Sequence, residues 1–261
     1  MRQYSNAYII GFAVAVCLVC SVVVSTSAVA LRGRQDLNKA LDRQTKVLVV
    51  AGLLGEGQSA SADEVQRLFE QNIRTRVVDL QSGEYDDTVD AAAYDQRRAT
   101  KDPSLSREAP ANRAGLTRLP SKALIYQRVA DEDIELLILP IEGKGLWSTL
   151  YGFLALAPDT TTIEGITFYE HGETPGLGGE VDNSSWKALW RGRQAYDADG
   201  EPAITVIKGA AGPAEEDPYR VDGISGATLT ARGVSHLVQF WLGENGFEPY
   251  LEKFQASGSA S

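Results

Sequence analysis

The chain has 261 residues, of which 43% are hydrophobic, enough for one large or two modest globular domains. Its 25 Lys and Arg against 35 Asp and Glu give a net charge of -10, the wrong sign for a protein that grips nucleic acid phosphates. The two cysteines, Cys17 and Cys20, both lie in the first apolar stretch, and the chain has only two histidines. Disulfides and cysteine catalysis in the body of the chain, and a three-histidine metal centre, are therefore excluded.

Residues 1–31 are predicted to be a transmembrane anchor. No charged residue occurs from Gln3 to Leu31, a span longer than the roughly 20 residues with which a helix crosses a bilayer. A signal peptide is the alternative, because Arg2 gives a basic start and the AVA at 28–30 resembles a cleavage site. The apolar run exceeds the apolar core of about 7–15 residues in a signal peptide, which favours a retained helix.

The charges beside the anchor carry an orientation signal. Arg32, Arg34 and Lys39 follow the apolar segment, whereas only Arg2 and the free amine precede it. By the positive-inside rule alone, the carboxyl-terminal side of the helix would stay in the cytoplasm.

Residues 32–135 are predicted to form a membrane-proximal α/β region with a surface excursion. In chain order, the patterns indicate an amphipathic stalk over 32–47, a short helix from about Asp63 to Asn72, a strand at 75–80, an excursion with little regular structure over 81–120, and strands at 123–129 and 134–141.

A possible nucleotide motif also lies in this region. Gly55, Gly57 and Ala60 match the G-x-G-x-x-A dinucleotide fingerprint, and Asp79 stands about 20 residues further on. In that fingerprint the helix opens directly from the glycines, whereas here SASADE intervenes and the helix is short. A soluble NAD-linked dehydrogenase therefore remains only a minor alternative.

Residues 136–261 continue with strands and turns. The patterns predict strands and turns over 151–181, a helix at 184–192 capped by a serine, a strand at 203–209 and an amphipathic helix from about Thr228 to Gly243. Strands with interspersed helices indicate an α+β fold.

Three stretches have compositions that suit a ligand site. DGISGAT, residues 222–228, offers Ser225 as a helix cap and amides that favour an anion, although capped helix starts are common. HGETPGLGG, residues 171–179, forms a bent, close-packed loop, either a plain tight turn or a loop that presents amides and Leu177 to a flat ring. GKGLWSTLYGF, residues 143–153, carries Trp147, although an aromatic residue there is more often part of the core.

Taken in this order behind one apolar helix, the three stretches resemble the C subunits of sodium-translocating NADH:quinone reductases. These proteins belong to the covalent FMN-binding domain family, shared with the G subunits of Rnf complexes. The family signature D-x-x-S/T-G-A-T stands without departure at residues 222–228, ETPGLG stands at 173–178, and GLWS stands at 145–148. The resemblance covers nearly the whole chain.

The resemblance implies a role for each matching residue. The hydroxyl of Thr228 would form a phosphoester with FMN, made by a flavin transferase that reads Asp222, unless Asp222 positions the loop. The remaining assignments are Ser225, Gly226 and Ala227 at the phosphate, Thr174, Gly176 and Leu177 at the isoalloxazine with Gly178 in the same loop, Trp147 and Ser148 lining the pocket, and Glu173 either tuning the ring or stabilising the turn.

The resemblance also implies a fold and a function. We expect one N-terminal transmembrane helix followed by a mixed α+β FMN-binding domain over 136–261. The helix would cross the bacterial inner membrane, and the domain would lie in the periplasm, although the positive charges after the helix indicate the opposite side. The chain would relay electrons from an iron centre of neighbouring subunits to the FMN of another subunit, towards ubiquinone and coupled to Na+ export. It would have no metal site of its own. The alternatives are an Rnf G subunit and a flavin-free membrane-anchored adaptor.

Overall fold

The structure is a computed structural model that describes residues 5–258. Two compact units are distinguished, one up to Arg43 and one from Gln44 onward. The helices are α1 (Asn6–Val50), α2 (Ala62–Asn72), α3 (Gln96–Lys101), α4 (Ser184–Ala188), α5 (Thr228–Leu242) and α6 (Glu248–Gly258). The strands are β1 (Ile73–Asp79), β2 (Ser106–Glu108), β3 (Arg118–Pro120), β4 (Lys122–Ala130), β5 (Asp133–Lys144), β6 (Thr149–Leu156), β7 (Ile163–Glu170), β8 (Thr205–Val206) and β9 (Arg220–Val221).

Helix α1 includes most of the predicted anchor, whose residues 1–4 lie outside the described part of the chain, and it continues without a break through the predicted stalk. Its most apolar window has a mean hydropathy of 2.7 and is not buried in the protein. By length and composition, this helix can cross a membrane. Exposed apolar side chains such as Phe12, Val19 and Val23 are what a helix surrounded by lipid presents.

The second unit is built on an antiparallel sheet of five strands in the order β1-β4-β5-β6-β7. The central strand β5 is buried on both faces, since Leu137, Ile138 and Leu139 are all inaccessible to solvent. A continuous apolar run produces this pattern, because successive side chains of a strand point to opposite faces. The mixed α+β fold expected from the sequence is confirmed.

Helix α5 packs so closely against β5 that glycines are needed where the two elements meet. A Cβ on Gly143 would stand 2.4 Å from the Cβ of Leu237, and a Cβ on Gly233 would stand 2.4 Å from the carbonyl oxygen of Lys144. The indole nitrogen of Trp241 donates a 2.7 Å hydrogen bond to the carbonyl of Glu142. These contacts fix the height of α5 over the sheet, and therefore the position of its first residue, Thr228.

Several local predictions were wrong or incomplete. Residues 81–120 are more regular than expected, with α3 and a two-stranded sheet of β2 and β3. Helix α4 is five residues long and is capped by Asn183 rather than by a serine, since Asn183 Oδ1 accepts from the amide of Ser185 at 2.9 Å. The predicted strand at 203–209 is reduced to the two residues of β8, and α6 was not predicted.

The dinucleotide interpretation lacks its structural context. Residues Gly55 to Ala60 follow helix α1, whereas the fingerprint requires a preceding strand. Helix α2 begins only at Ala62, after an ordinary N-cap in which Ser61 Oγ accepts from the amide of Glu64 at 3.2 Å. The predicted division between residues 135 and 136 falls inside β5, and it stays a prediction about domain organisation.

The contact between α5 and β5 generates a stability prediction. Gly143→Ala places a methyl group against Leu237 and should push α5 away from the sheet, lowering the free energy of unfolding by about 1–3 kcal/mol. Urea titration of the full chain in detergent measures this loss. Gly55→Ala is the matched control, because its new methyl group would meet only the side chain of Gln58. An unchanged midpoint for Gly143→Ala would contradict the close approach.

Candidate functional site

The three singled-out stretches meet at the amino-terminal end of α5, and Glu173 joins them. Its side chain is only 5% exposed. Oε1 accepts hydrogen bonds from the backbone amides of Trp147 at 2.9 Å and Ser148 at 3.2 Å, and Oε2 accepts from the amide of Leu146 at 3.2 Å. The hydroxyl of Thr230 donates a 2.6 Å hydrogen bond to Oε2. One carboxylate thus links the 143–153 stretch, the 171–179 loop and helix α5.

Two glycines make room for this carboxylate. A Cβ on Gly145 would lie 2.6 Å from Oε1 of Glu173. A Cβ on Gly178 would lie 2.8 Å from Oε2 and 2.6 Å from the hydroxyl oxygen of Thr230. Since real Cβ atoms do not approach other atoms so closely, both positions require glycine while Glu173 is in place.

The hydrogen bonds decide the charge of Glu173. Burial raises the pKa of its carboxyl group, but the Thr230 hydroxyl and the amides of Trp147, Ser148 and Leu146 outweigh burial and bring the pKa below its ordinary value. Glu173 therefore carries a fixed negative charge at neutral pH, beneath the loops of the site.

Thr228 is the first residue of α5 and is exposed. The N-cap is Ala227, which makes no side-chain capping bond, so the interpretation of Ser225 as the helix cap was wrong. Ser225 instead lies exposed in the turn before the helix. A first helical turn without a side-chain cap is suited to an external anion, because its amides need an acceptor.

The turn before α5, residues 222–227, which we call the signature turn, contacts the 171–179 loop. Gly226 has a φ of +71°, which favours glycine. A Cβ at this position would also lie 2.8 Å from Cδ2 of Leu177. Leu177 therefore lies beside Gly226, and the two loops predicted to share a ligand are neighbours.

Asp222 fixes the other side of the signature turn. Its Oδ1 accepts from the amide of Ala211 at 2.8 Å, and its carbonyl accepts from the indole nitrogen of Trp186 at 2.9 Å. The adjacent amide of Gly223 donates to the carbonyl of Gly209 at 2.7 Å. These contacts support the loop-positioning role of Asp222.

The segments that meet around Glu173 and the start of α5 carry four exposed apolar side chains, and we call this set the apolar rim. It consists of Leu146, Trp147, Leu177 and Leu229, which are 40%, 70%, 44% and 54% exposed. Among the described residues outside α1, the other exposed large apolar side chains are Tyr85 and Leu105. Monomeric proteins rarely concentrate such side chains in one place without a binding role.

The remaining candidates of the 171–179 loop divide between surface and interior. Thr174 and Gly176 are exposed beside Leu177, whereas Gly178 is buried against Glu173. Ser148 is tied into the scaffold, since its Oγ accepts from the amide of Gly172 at 2.6 Å. The loop is further anchored by His171, whose Nε2 lies 2.8 Å from Asp182 Oδ2.

Sequence reasoning missed the structural part played by Thr230. Thr230 is only 1% exposed and its hydroxyl is engaged by Glu173. Its spacing two residues after Thr228 is the signal that could have shown the difference, because residues two apart in a helix point in nearly opposite directions.

Removing the charge of Glu173 should loosen the site. We expect Glu173→Gln to lower the free energy of unfolding by about 1–3 kcal/mol, because an amide cannot accept all four hydrogen bonds and its NH2 group would face donors. Chemical denaturation checks this value. Glu180→Gln, in the 3-10 helix Gly178–Asp182, is the control; an equal loss in both variants would contradict the special role of Glu173.

The lowered pKa of Glu173 also predicts a pH dependence. A carboxyl group whose pKa is depressed by folding stabilises the folded state fully above its unfolded pKa of about 4.3, and this contribution is lost as pH falls through the folded pKa. The stability difference between the wild type and Glu173→Gln should therefore be constant near neutral pH and shrink below about pH 4. Urea titrations across this range measure it, and a difference that grows with acidity would refute the assignment.

The chain matches a known domain family and several relatives. Residues 145–243 match the FMN-binding domain family. The chain is 48% identical over 253 residues to the C subunit of the Na(+)-translocating NADH-quinone reductase of Pseudomonas aeruginosa, an alignment covering 96% of each chain. It is also 48% identical to the C subunit of the Yersinia pestis reductase, over 92% of this chain and 90% of the relative.

Solved structures agree with these matches. The crystal structure of Shewanella oneidensis NqrC superposes with a TM-score of 0.75 at 34% identity, covering 82% of this chain and 96% of the other. The C subunit from Parabacteroides distasonis superposes with a TM-score of 0.65 at 25% identity, covering 85% of this chain and 96% of the other. The chain therefore belongs to the family of Na(+)-translocating NADH-quinone reductase C subunits and contains the FMN-binding domain.

Proposed function

We propose that the chain is the electron-carrying C subunit of a Na+-translocating NADH:quinone reductase and that it holds FMN through a phosphoester to Thr228. The observation that carries the attachment is the contrast between two hydroxyls of α5. Thr228 is exposed at an uncapped helix start, whereas Thr230 is buried and bound to Glu173. Only the first can be reached by a transferase and its flavin substrate.

The residues around Thr228 fit the flavin. The amide-bearing first turn of α5 and the small residues Gly226 and Ala227 suit a phosphate group. The apolar rim, with Trp147 and Leu177 on two different loops, offers apolar surface to a flat ring. Glu173 and Ser148 support the two loops from below and set their separation.

When bound, FMN supplies reversible electron transfer, and the chain's own residues hold it and shape its surroundings. The fixed charge of Glu173 disfavours additional negative charge nearby, so it should lower the reduction potential of the flavin. The sequence has no cysteine after Cys20 to ligate an iron centre, and the Gly55 to Ala60 stretch lacks the context of a nicotinamide site. We infer that electrons enter from and leave to neighbouring subunits.

We further propose that α1 anchors the chain in the bacterial inner membrane and that the domain from Gln44 onward lies in the periplasm, where a flavin transferase matures it. This side follows the family resemblance rather than the positive charges after the anchor. In the complex, electrons pass from an iron centre between neighbouring subunits to the FMN of another subunit, and on to ubiquinone, with Na+ export coupled to the transfer. An Rnf G subunit is less well supported, because the relatives named above are C subunits.

Attachment is tested by co-expressing the full chain with a flavin transferase. The intact mass should rise by that of FMN less one water, and a boiled sample should give a fluorescent band on a denaturing gel. Thr228→Ala should lose both signals with little loss of stability, because Thr228 is exposed. Thr230→Val is the matched control and should keep the flavin. A mass equal to that of the unmodified polypeptide in the wild type would refute the ester, and flavin retained by Thr228→Ala would refute its position.

A further inference from the structure

A cleft lies at the end of α5 opposite to Thr228. Its volume is about 390 Å³, within the range of about 300–1,000 Å³ typical of small-molecule sites. Tyr196 lines the cleft, and its hydroxyl donates a 2.8 Å hydrogen bond to the carbonyl of Leu242, the last residue of α5. A helix of this length spans roughly 20 Å, so the cleft is separate from the proposed flavin attachment.

The cleft is acidic and its acids are unpaired. Asp197, Glu248 and Glu252 line it, whereas no Lys, Arg or His does in the part of the chain that the structure describes. None of these three acids forms an ion pair with a described residue. Asp197 is held in place, since its Oδ1 accepts from the amides of Asp199 at 3.0 Å and Glu201 at 3.1 Å, which leaves Oδ2 for a ligand. Unpaired charges of one sign around a concave surface attract ions of the other sign.

The acids at the cleft act on one another. Burial raises the pKa of Glu248, and three neighbouring carboxylates raise it further, those of Glu252, Glu201 and Glu244. Burial, followed by the charges of Glu248 and Glu252, also raises the pKa of Tyr196. These groups therefore share one region of negative potential, and a bound cation would relieve the repulsion between them.

Thr160 gives a second and independent indication of a ligand. It lines the cleft and is only 4% exposed, yet its hydroxyl has no hydrogen-bond partner among the described residues. The fully enclosed side-chain polar atoms without a partner are Thr167 Oγ1 and Trp190 Nε1, so the hydroxyl of Thr160 is open to the cleft that this residue lines. Since buried hydroxyls are normally hydrogen-bonded, Thr160 offers an unused donor and acceptor to an occupant of the cleft.

The arrangement of the lining residues indicates the shape of the cation. Helix α6 contributes Glu248, Leu251, Glu252 and Gln255, which are three or four residues apart and form one stripe. Leu251 stands between the two glutamates, and the ring of Tyr196 adds an aromatic surface that can contact a cation. The described residues include no group of three or more His, Cys, Asp and Glu side chains arranged to hold a metal ion. Acids separated by apolar surface suit ammonium groups joined by methylene groups.

We propose that this cleft binds an aliphatic polyamine, with one ammonium group paired with Glu248 and Glu252 on α6 and another with Asp197. The hydroxyl of Thr160 accepts a further hydrogen bond from an ammonium group, and the methylene chain lies against Leu251. Charge-assisted hydrogen bonds to carboxylates supply the affinity, and the separation of the acids supplies the preference for more than one ammonium group. The site requires neither the flavin nor its attachment.

The test uses the full chain in detergent, co-expressed with a flavin transferase. Isothermal titration at about pH 8, where carboxylates are ionised and alkylamines are protonated, compares spermidine, butylamine and Mg2+. We expect spermidine to fill one saturable site whose affinity falls as salt rises, and both butylamine and Mg2+ to bind at least about tenfold more weakly. Mg2+ binding as tight as that of spermidine would show a response to charge alone and overturn the proposal, as would the lack of a saturable spermidine site.

Variants locate the site. Glu252→Gln, at an exposed position where the fold should be unaffected, and Thr160→Val, which removes the hydroxyl at nearly constant volume, should each weaken spermidine binding about tenfold. Glu215→Gln is the matched control, because it removes one negative charge from an exposed residue that does not line the cleft. Unchanged binding by Glu252→Gln, or equal weakening by Glu215→Gln, would overturn the proposal. Thr228→Ala should bind spermidine like the wild type, so a failure of the ester and a failure of this cleft give different results.

Discussion

The buried carboxylate of Glu173 is the interaction on which the rest of the site depends. Burying a charged carboxylate is costly unless hydrogen bonds replace the lost water. Here four donors replace it, and three of them are backbone amides of one loop. Because three consecutive amides must all point at one carboxylate, the position of Glu173 determines the conformation of residues 146–148. The apolar rim is thus held by a charge that lies beneath it.

Helix α5 converts this scaffold into two separate surfaces. Its rotation of about 100° per residue sends Thr228 outward to solvent and Thr230 inward to Glu173. The close packing at Gly143 and Gly233 prevents the helix from turning about its axis, since a methyl group at either position would collide with the neighbouring backbone or side chain. Packing along α5, and not residue type, therefore distinguishes the exposed threonine from the buried one.

Much of the fold could be predicted from the sequence, because long elements carry a strong periodic signal. The apolar run predicted α1, and the spacing of Leu229, Val234, Leu237, Val238 and Trp241 predicted α5. Leu229 was wrongly placed on the buried face, since it is exposed in the first turn of the helix. Short elements were harder to predict from the sequence. The two residues of β8 are a strand only because β9 lies alongside, and α4 takes its cap from Asn183, a residue as suitable as the serines that follow it.

For the candidate site, composition indicated which loops were unusual, and the resemblance indicated which ligand they suit. The structural part of Glu173 could not be read from the sequence, since its acceptor role depends on amides about 25 residues earlier in the chain, and backbone donors leave no trace in residue identity.

An exposed site and a covalent bond suit each other physically. A flavin held by contacts alone needs burial of most of its surface, because dissociation must be opposed by binding energy. Under the proposed ester, the tether keeps the flavin at a high effective concentration beside the apolar rim, so weak contacts are sufficient to orient it. Trp147 and Leu177 can then remain largely open to solvent without loss of the cofactor. An open site is what a carrier requires, since electrons must reach it from one neighbour and leave it for another.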